Sequence, residues 1–253
     1  MTDPAAPDAL GVLDRITAVL EAFDGDDRGV GISELALRAG LPKSTVSRIV
    51  AGLVRQRYLE RDGTLIHLGL RLFELGQLAE MPQELRFAAL SVMADLRSAT
   101  GESVHLAIRD GGEVVFISVM RGRASAAPGS RIGGRAPVHA TALGKALLAH
   151  APASELDAVL AEELAAFTPR TVTDPERLRR ELAEIRRVGV AVEVDEHAPE
   201  VAGAASPVFS PSGRVLAAIS VCGTSADFDP ERWPPQVRDA ARRVEARLSA
   251  NRP

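Results

Sequence analysis

The stretch from Ile32 to Leu68 constrains the fold of this chain more than any other. Ser33 suits the N-cap of a short helix with Leu35, Ala36 and Ala39 inside. Gly40 falls just past its end, where a left-handed residue stops a helix. Pro42 then fits the first turn of a second helix, because its missing N–H would find no partner there. That helix runs to about Gln56. At 100° per residue, Val46, Ile49, Val50 and Leu53 gather on one side, and Ser44, Arg48, Ala51 and Arg55 fall opposite, flanked by Thr45 and Ser47. Tyr58 to Arg61 and Thr64 to Leu68 read as strands around Asp62-Gly63, a pair that accepts the positive φ of a hairpin turn. Two helices joined by a short turn, then a hairpin, predict a winged helix-turn-helix.

Charge is distributed to match. The whole chain carries a net charge of −4. From Ile32 to Arg61, however, Arg38, Lys43, Arg48, Arg55, Arg57 and Arg61 face only Glu34 and Glu60, a local surplus of four. The compensating acids sit earlier, at Asp3, Asp8, Asp14, Glu21, Asp24, Asp26 and Asp27. A basic window inside an acidic protein suits a phosphate partner. Lys43 and Arg48 can reach phosphates or a guanine edge, and Ser44, Thr45 and Ser47 either. The competing readings are a structural helical cap with a solvated charged face and, for Arg48, an internal ion pair.

The remaining sequence is that of an ordinary globular chain, 46% apolar and 25% charged. One cysteine, Cys222, excludes internal disulfides and a four-cysteine zinc module. The N-terminus MTDPAAPDAL lacks a basic head and apolar core, and no apolar run reaches membrane-spanning length, so a cytoplasmic protein is expected.

A first helix is predicted from about Leu10 to Phe23, with Leu13, Ile16, Leu20 and Phe23 on one face, broken by Asp24-Gly25-Asp26-Asp27. After the hairpin, Gly69 to Ala79 (Leu72, Leu75, Ala79) reads as a linker helix. Leu85, Ala89, Met93 and Leu96 mark a helix ending before Gly101. Val104, Leu106 and Ile108 alternate as a strand, and Val114 to Met120 returns after Asp110-Gly111-Gly112. Gly122 to Gly134 looks like a mobile loop. Helices follow from Thr141 to His150 and from Ser154. A long one is capped by Asp174 and Pro175 and stopped by Gly189. Strands over Val201–Phe209 and Arg214–Cys222, then a helix over 235–249, complete an α+β pattern with a mostly antiparallel sheet. The expected division is 8–68, 69–81 and 82–253.

The run ISELALRAGLPKSTVSRIVAGLVRQRYLERDG resembles the helix-turn-helix of the IclR family of bacterial transcription regulators. The likeness continues through HLGLRLFELG, TGESVHLAIRDGGEVVFI, APVHATALGKALLA, TPRTVTDPERLRRELAEIRRVGVAVEVDEHAP and GRVLAAISVCG, in the family's order and spacing. It implies a ligand-responsive regulator, a repressor by family tendency, with a winged helix, a linker helix and a GAF-like effector-binding domain. It also implies dimers that pair as tetramers on palindromic operator DNA. The helix from Pro42 would then lie in the major groove while Arg61 and the wing touch the backbone.

The same resemblance implies an effector pocket on the C-terminal sheet, closed by the loop before HATALGKA. Ala136, Ala142 and Leu143 would line one wall, Glu193, Val201 and Gly203 another, and Ser220 and Cys222 the last strand. Amides near Ala142 and Leu143 suit a carboxylate. Ordinary sheet packing is the competing account of Ser220 and Cys222. Several positions depart from the family pattern. Gly203 stands where a cysteine is common, Glu200 and Arg57 where glycine is usual, Glu193 where aspartate is commoner, and Ile66 where the wing has tyrosine. Gly203 beside Ala202, Ala204 and Ala205 suggests a roomy pocket and a larger, aromatic effector. No metal or other cofactor is called for. An enzyme would have to draw on His139, Lys145, Asp195, Glu196, His197 and Cys222, and no G-x-S-x-G elbow, P-loop or H-E-x-x-H accompanies them. Asp195-Glu196-His197 is the one tempting metal cluster, against a solvated polar loop. A metabolite-binding module with no DNA role is the remaining alternative.

Overall fold

A computed structural model describes residues 11–25, 27–123 and 127–250, which fall in two compact units, Met1–Glu80 and Met81–Pro253. The predicted helix start at Leu10, Asp26 of the first break, and 124–126 of the Gly122–Gly134 loop lie outside the described residues.

In the first unit, helix α1 (Val12–Glu21) is followed by strand β1 (Val30–Gly31), helices α2 (Ile32–Arg38) and α3 (Lys43–Arg55), strands β2 (Leu59–Asp62) and β3 (Leu65–Leu68), and helix α4 (Leu70–Gly76). The three strands form an antiparallel sheet in the order β1-β3-β2. Val19, Leu35, Leu41, Val46, Val50, Leu59 and Ile66 close the core. Ile49 and Leu53 pack at its margin, half-buried. The predicted face of α1 is borne out in part: Leu20 and Phe23 pack half-buried against the core, but Leu13 does not. Leu13 is 78% exposed and Val19 fully buried, because the C-terminal half of α1 carries the packing. Gly31, not Ser33, caps α2, since Val30 and Gly31 pair with Ile66 and Leu65 right up to the helix. The hairpin turn slips by one residue: Asp62 pairs with Leu65, leaving Gly63-Thr64 at the tip, and only Gly63 has positive φ. The expected linker helix stops at Gly76, short of Ala79, and buries none of its residues.

Helix α3 ends in a Schellman motif, with the Tyr58 amide donating to Leu53 O and the Arg57 amide to Val54 O. Its left-handed residue is Arg57, at φ 63°. Glu200, the other position where glycine was expected, is likewise left-handed at φ 62°.

The second unit runs α5 (Glu80–Thr100), β4 (Ser103–Asp110), β5 (Glu113–Met120), β6 (Arg135–Pro137), α6 (Ala142–Leu148), α7 (Ala153–Ala161), α8 (Pro175–Val188), β7 (Ala191–Val194), β8 (Val201–Phe209), β9 (Val215–Thr224) and α9 (Trp233–Ala250). Its sheet is antiparallel throughout, in the order β6-β5-β4-β9-β8-β7. Helices α5 and α9 bury one face around Met93, Leu106, Ile219, Trp233 and Val237. Helices α6, α7 and α8 bury the other around Phe116, Leu143, Leu147, Leu178 and Leu182. With both faces covered, the central strands are buried along their length rather than alternately. Among the described residues no helix is long and apolar enough to cross a membrane.

Asp195, at φ 56°, is a third such residue, but Arg57 and Glu200 give the direct test. A left-handed residue with a Cβ costs about 1–2 kcal/mol, partly offset by the unfolded-state freedom glycine adds. Arg57→Gly and Glu200→Gly should each raise stability by about 0.5–1 kcal/mol in urea unfolding, and a loss of stability in both variants would refute the strain.

Candidate functional site

The first unit presents α3 as a nearly clean polar face. Lys43, Ser44, Ser47, Arg48 and Arg55 are exposed, Thr45 is half-buried, and Arg61 is exposed on β2 next to the hairpin tip. All seven predicted DNA contacts therefore lie at the surface. Among the described residues none of the four cations forms an ion pair. Arg38 is the contrast, tied to Asp27 at 2.7 Å and Glu34 at 2.9 Å. The internal ion pair considered for Arg48 does not form. Thr45 and Arg48 border a groove of about 340 Å³ whose other wall is Val12, Arg15 and Ile16 of α1.

In the second unit a small cavity, about 30 Å³, opens between α6 and the sheet. Its floor consists of two rows set by strand register. One row holds Cys222, Gly203 and Glu193, and the other His105, Ser220 and Ala205. Ala142 and Leu143 of α6 form the opposite wall, and Ala127, Pro128 and Phe116 close the side. Six of the eight predicted effector residues meet here. Ala136 and Val201 do not line the cavity: Ala136 is buried against Val114 on the edge strand, and Val201 pairs with Thr224 at the end of β8. Nor do all the small residues of β8 widen it. Ala204 packs on the α9 side, and the space above Gly203 is closed within 4 Å by Ala142 and Glu193.

His105, Phe116, Thr141 and His197 line the cavity without having been singled out for it. His105 escaped because the alternation of Val104, Leu106 and Ile108 marked it as outward, and outward here means beneath a second layer of helices. Thr141 caps α6 by accepting the Gly144 amide at 3.1 Å. The amides of Ala142 and Leu143, which a first helical turn cannot satisfy itself, remain at the cavity wall.

The cavity suppresses charge. Burial pushes the Glu193 carboxyl up to about 8, against hydrogen bonds from the Glu196 and His197 backbone, so it is mostly a neutral acid near pH 7. Burial, with Arg121 nearby, lowers His105 to about 4. Burial also lowers His197. Cys222 is driven up to about 12 by burial and by Glu193 and Glu102, so it stays a thiol rather than a nucleophile. Asp195, Glu196 and His197 diverge. Asp195 faces Arg170 at 3.5 Å, Glu196 grips Lys145, and only His197 reaches the cavity. Among the described residues no three side chains converge as metal ligands. Lys145, fully buried, donates to Glu181 at 2.6 Å and to both oxygens of Glu196 at 2.6 and 2.7 Å. His139 lies away from the floor, bonded to Ala165 O at 2.9 Å.

Because the fold holds the Glu193 proton more tightly than the unfolded chain does, stability should fall as pH rises from about 4.5 through 8. His105 acts on the other side: its depressed value removes stability as pH drops below about 6.5 toward 4. Glu193→Gln should flatten the alkaline loss while keeping the acid one, with a residual slope from Glu196, also raised by burial. Urea unfolding followed by Trp233, the single tryptophan, reads this out, and an unchanged slope between pH 6 and 9 would be inconsistent with a neutral Glu193.

Comparison with known proteins agrees with these features. The family model described as the IclR helix-turn-helix domain matches residues 12–63, and that described as bacterial transcriptional regulator IclR C-terminal matches residues 79–246. The HTH-type transcriptional repressor AllR of Klebsiella pneumoniae is 32% identical over 252 residues, spanning 97% of this chain and 93% of that protein. The HTH-type transcriptional regulator XynR of Escherichia coli (strain K12) is 33% identical over 220 residues, 86% of this chain and 87% of that one. A crystal structure of an IclR homolog from Microbacterium hydrocarbonoxydans, complexed with 4-hydroxybenzoate, superposes with a TM-score of 0.88 at 34% identity, covering 95% of this chain and 100% of that chain. With an α+β fold whose first unit is a winged helix-turn-helix and whose second is an effector-binding domain, this chain belongs to the IclR family of DNA-binding, ligand-responsive transcription regulators.

Proposed function

We propose that the chain represses transcription from a palindromic operator, reading bases with α3 and releasing DNA when a small organic acid enters the cavity on its second sheet. The observation that carries this is the face of α3: short hydroxyl side chains beside cations that no acid neutralises. Such a face enters a major groove without steric obstruction, and its free cations gain by displacing counterions from phosphate. Arg48, Lys43, Ser44, Thr45 and Ser47 are assigned to the groove, Arg55 and Arg61 to the flanking backbone. Residues 8–68 bind DNA, 82–253 bind the effector, and 69–81 transmit between them, in the cytoplasm, where the operator is.

The effector assignment rests on chemistry. The amides of Ala142 and Leu143 suit a carboxylate, and a neutral Glu193 donates rather than repels. The 4-hydroxybenzoate held by the Microbacterium homolog is of this class, a small aromatic acid. Pairing of copies as dimers or tetramers is supported by the exposed apolar side chains Leu70, Phe73 and Leu78 of the linker. Effector binding alters DNA affinity only in so far as the ligand favours one arrangement of paired winged helices over the other.

Fluorescence anisotropy on operator DNA isolated by co-purification tests the reading. Arg48→Ala should weaken binding by about 1–3 kcal/mol and relax specificity at one base pair, whereas Arg55→Ala should cost affinity evenly across sequences and lower the salt slope by about one. Full-strength, salt-insensitive binding by both variants would remove α3 from the interface.

A further inference from the structure

The cavity wall formed by β4 and β9 carries two polar atoms that find no partner among the described residues. His105 and Ser220 are register partners across these strands, each only 2% exposed. Nε2 of His105 and Oγ of Ser220 are both buried without a hydrogen bond to any described residue. Cross-strand partners on one face hold their Cβ atoms about 4.5–5.5 Å apart, so one ligand atom can touch both. Phe116 packs edge-on against the imidazole, with ring centroids 5.3 Å apart, and fixes its orientation. Beyond Ser220 the row continues with Ala205, which is packed into the core.

Buried polar atoms are as a rule paired, and those left unpaired need a reason. Neither packing nor catalysis supplies one here. The chemistry of the wall narrows what completes it. No lysine or arginine lines the cavity among the described residues, and Arg121, whose charge reaches His105, stands outside that lining, so a carboxylate buried against this wall would have no cation in contact with it. A hydroxyl both donates and accepts. It can serve the serine in either sense and the neutral imidazole in either tautomer.

We propose that His105 Nε2 and Ser220 Oγ together bind an uncharged hydroxyl of the effector, and that His105 makes the pocket select hydroxylated acids over their unhydroxylated counterparts. This rests on the second-sheet cavity being the effector site. The test is calorimetric titration of the full-length protein with matched probes: 4-hydroxybenzoate against benzoate, 3-hydroxybenzoate against benzoate, and glycolate against acetate. At least one hydroxylated member should bind about tenfold more tightly than its partner. Ser220→Ala, a small change that keeps the strand, and His105→Leu should each narrow that ratio to about threefold or less. Equal binding within every pair, no binding by any hydroxylated probe, or an undiminished ratio in Ser220→Ala would overturn the assignment. Release of operator DNA by an unhydroxylated acid alone would overturn it too while leaving the effector reading intact. An operator complex indifferent to every small organic acid would count against that reading itself.

Discussion

The ammonium of Lys145 sits where no water reaches it, and its position holds only while two carboxylates surround it. Taking such an ion from water costs several kcal/mol, recovered here by close contacts to Glu181 and to both oxygens of Glu196. These groups come from α6, α8 and the turn after β7. One buried cation therefore pins together three segments that enclose or abut the cavity. The same turn is gripped from outside: the Thr168 hydroxyl donates to Asp195 O at 2.6 Å and the Thr171 hydroxyl to Glu196 O at 2.7 Å. From within, the Glu196 amide donates to Glu193 at 3.3 Å. If Glu193 takes part in ligand binding as proposed, this turn ties it to α6 and α8 through Glu196 and Lys145.

The two units use charge in opposite ways. On α3 the cations stand exposed with no ion-pair partner among the described residues, which suits a polyanion whose attraction acts through the counterion atmosphere. In the cavity the titratable groups are driven to their neutral forms by burial. Discrimination there falls to hydrogen-bond matching, in which a missing donor or acceptor leaves a buried group unpaired. Affinity for DNA should accordingly follow ionic strength, and affinity for an effector should follow the placement of its polar atoms.

The parts of this arrangement that local chemistry determines could be read in advance. Asp174, Pro175 and Gly189 delimit α8 in the chain as they do in space, because a cap, a fixed φ and a left-handed stop act within a few residues. The inner face of α3 followed from periodicity. Legibility ended where tertiary contacts decide. Leu13 and Val19 both fit an amphipathic α1, and only packing on α3 selects Val19. The short strands β1, β6 and β7, of two to four residues, carry too little pattern to stand out. Arg57 betrayed its left-handed backbone only through a family resemblance. The six predicted residues that line the cavity were likewise placed by resemblance, whereas nothing in the alternation of Val104, Leu106 and Ile108 marked His105 as facing a cavity.

The size of the cavity gives the last step. About 30 Å³ holds a couple of water molecules and no aromatic ring. Phe116 and Leu143, both nearly inaccessible, occupy the space a ring would need. On the proposed effector reading, a ligand larger than this needs one wall to give, and Ala127 and Pro128 belong to a loop rather than a strand. A pocket equally well shaped for its ligand in both arrangements would bind tightly and change nothing, since equal affinity for two states shifts no equilibrium. Under the proposed reading, a cavity smaller than its ligand couples occupancy to rearrangement. The unpartnered atoms of His105 and Ser220 would then bear on which ligands fit, and the turn held by Lys145 on where the movement goes.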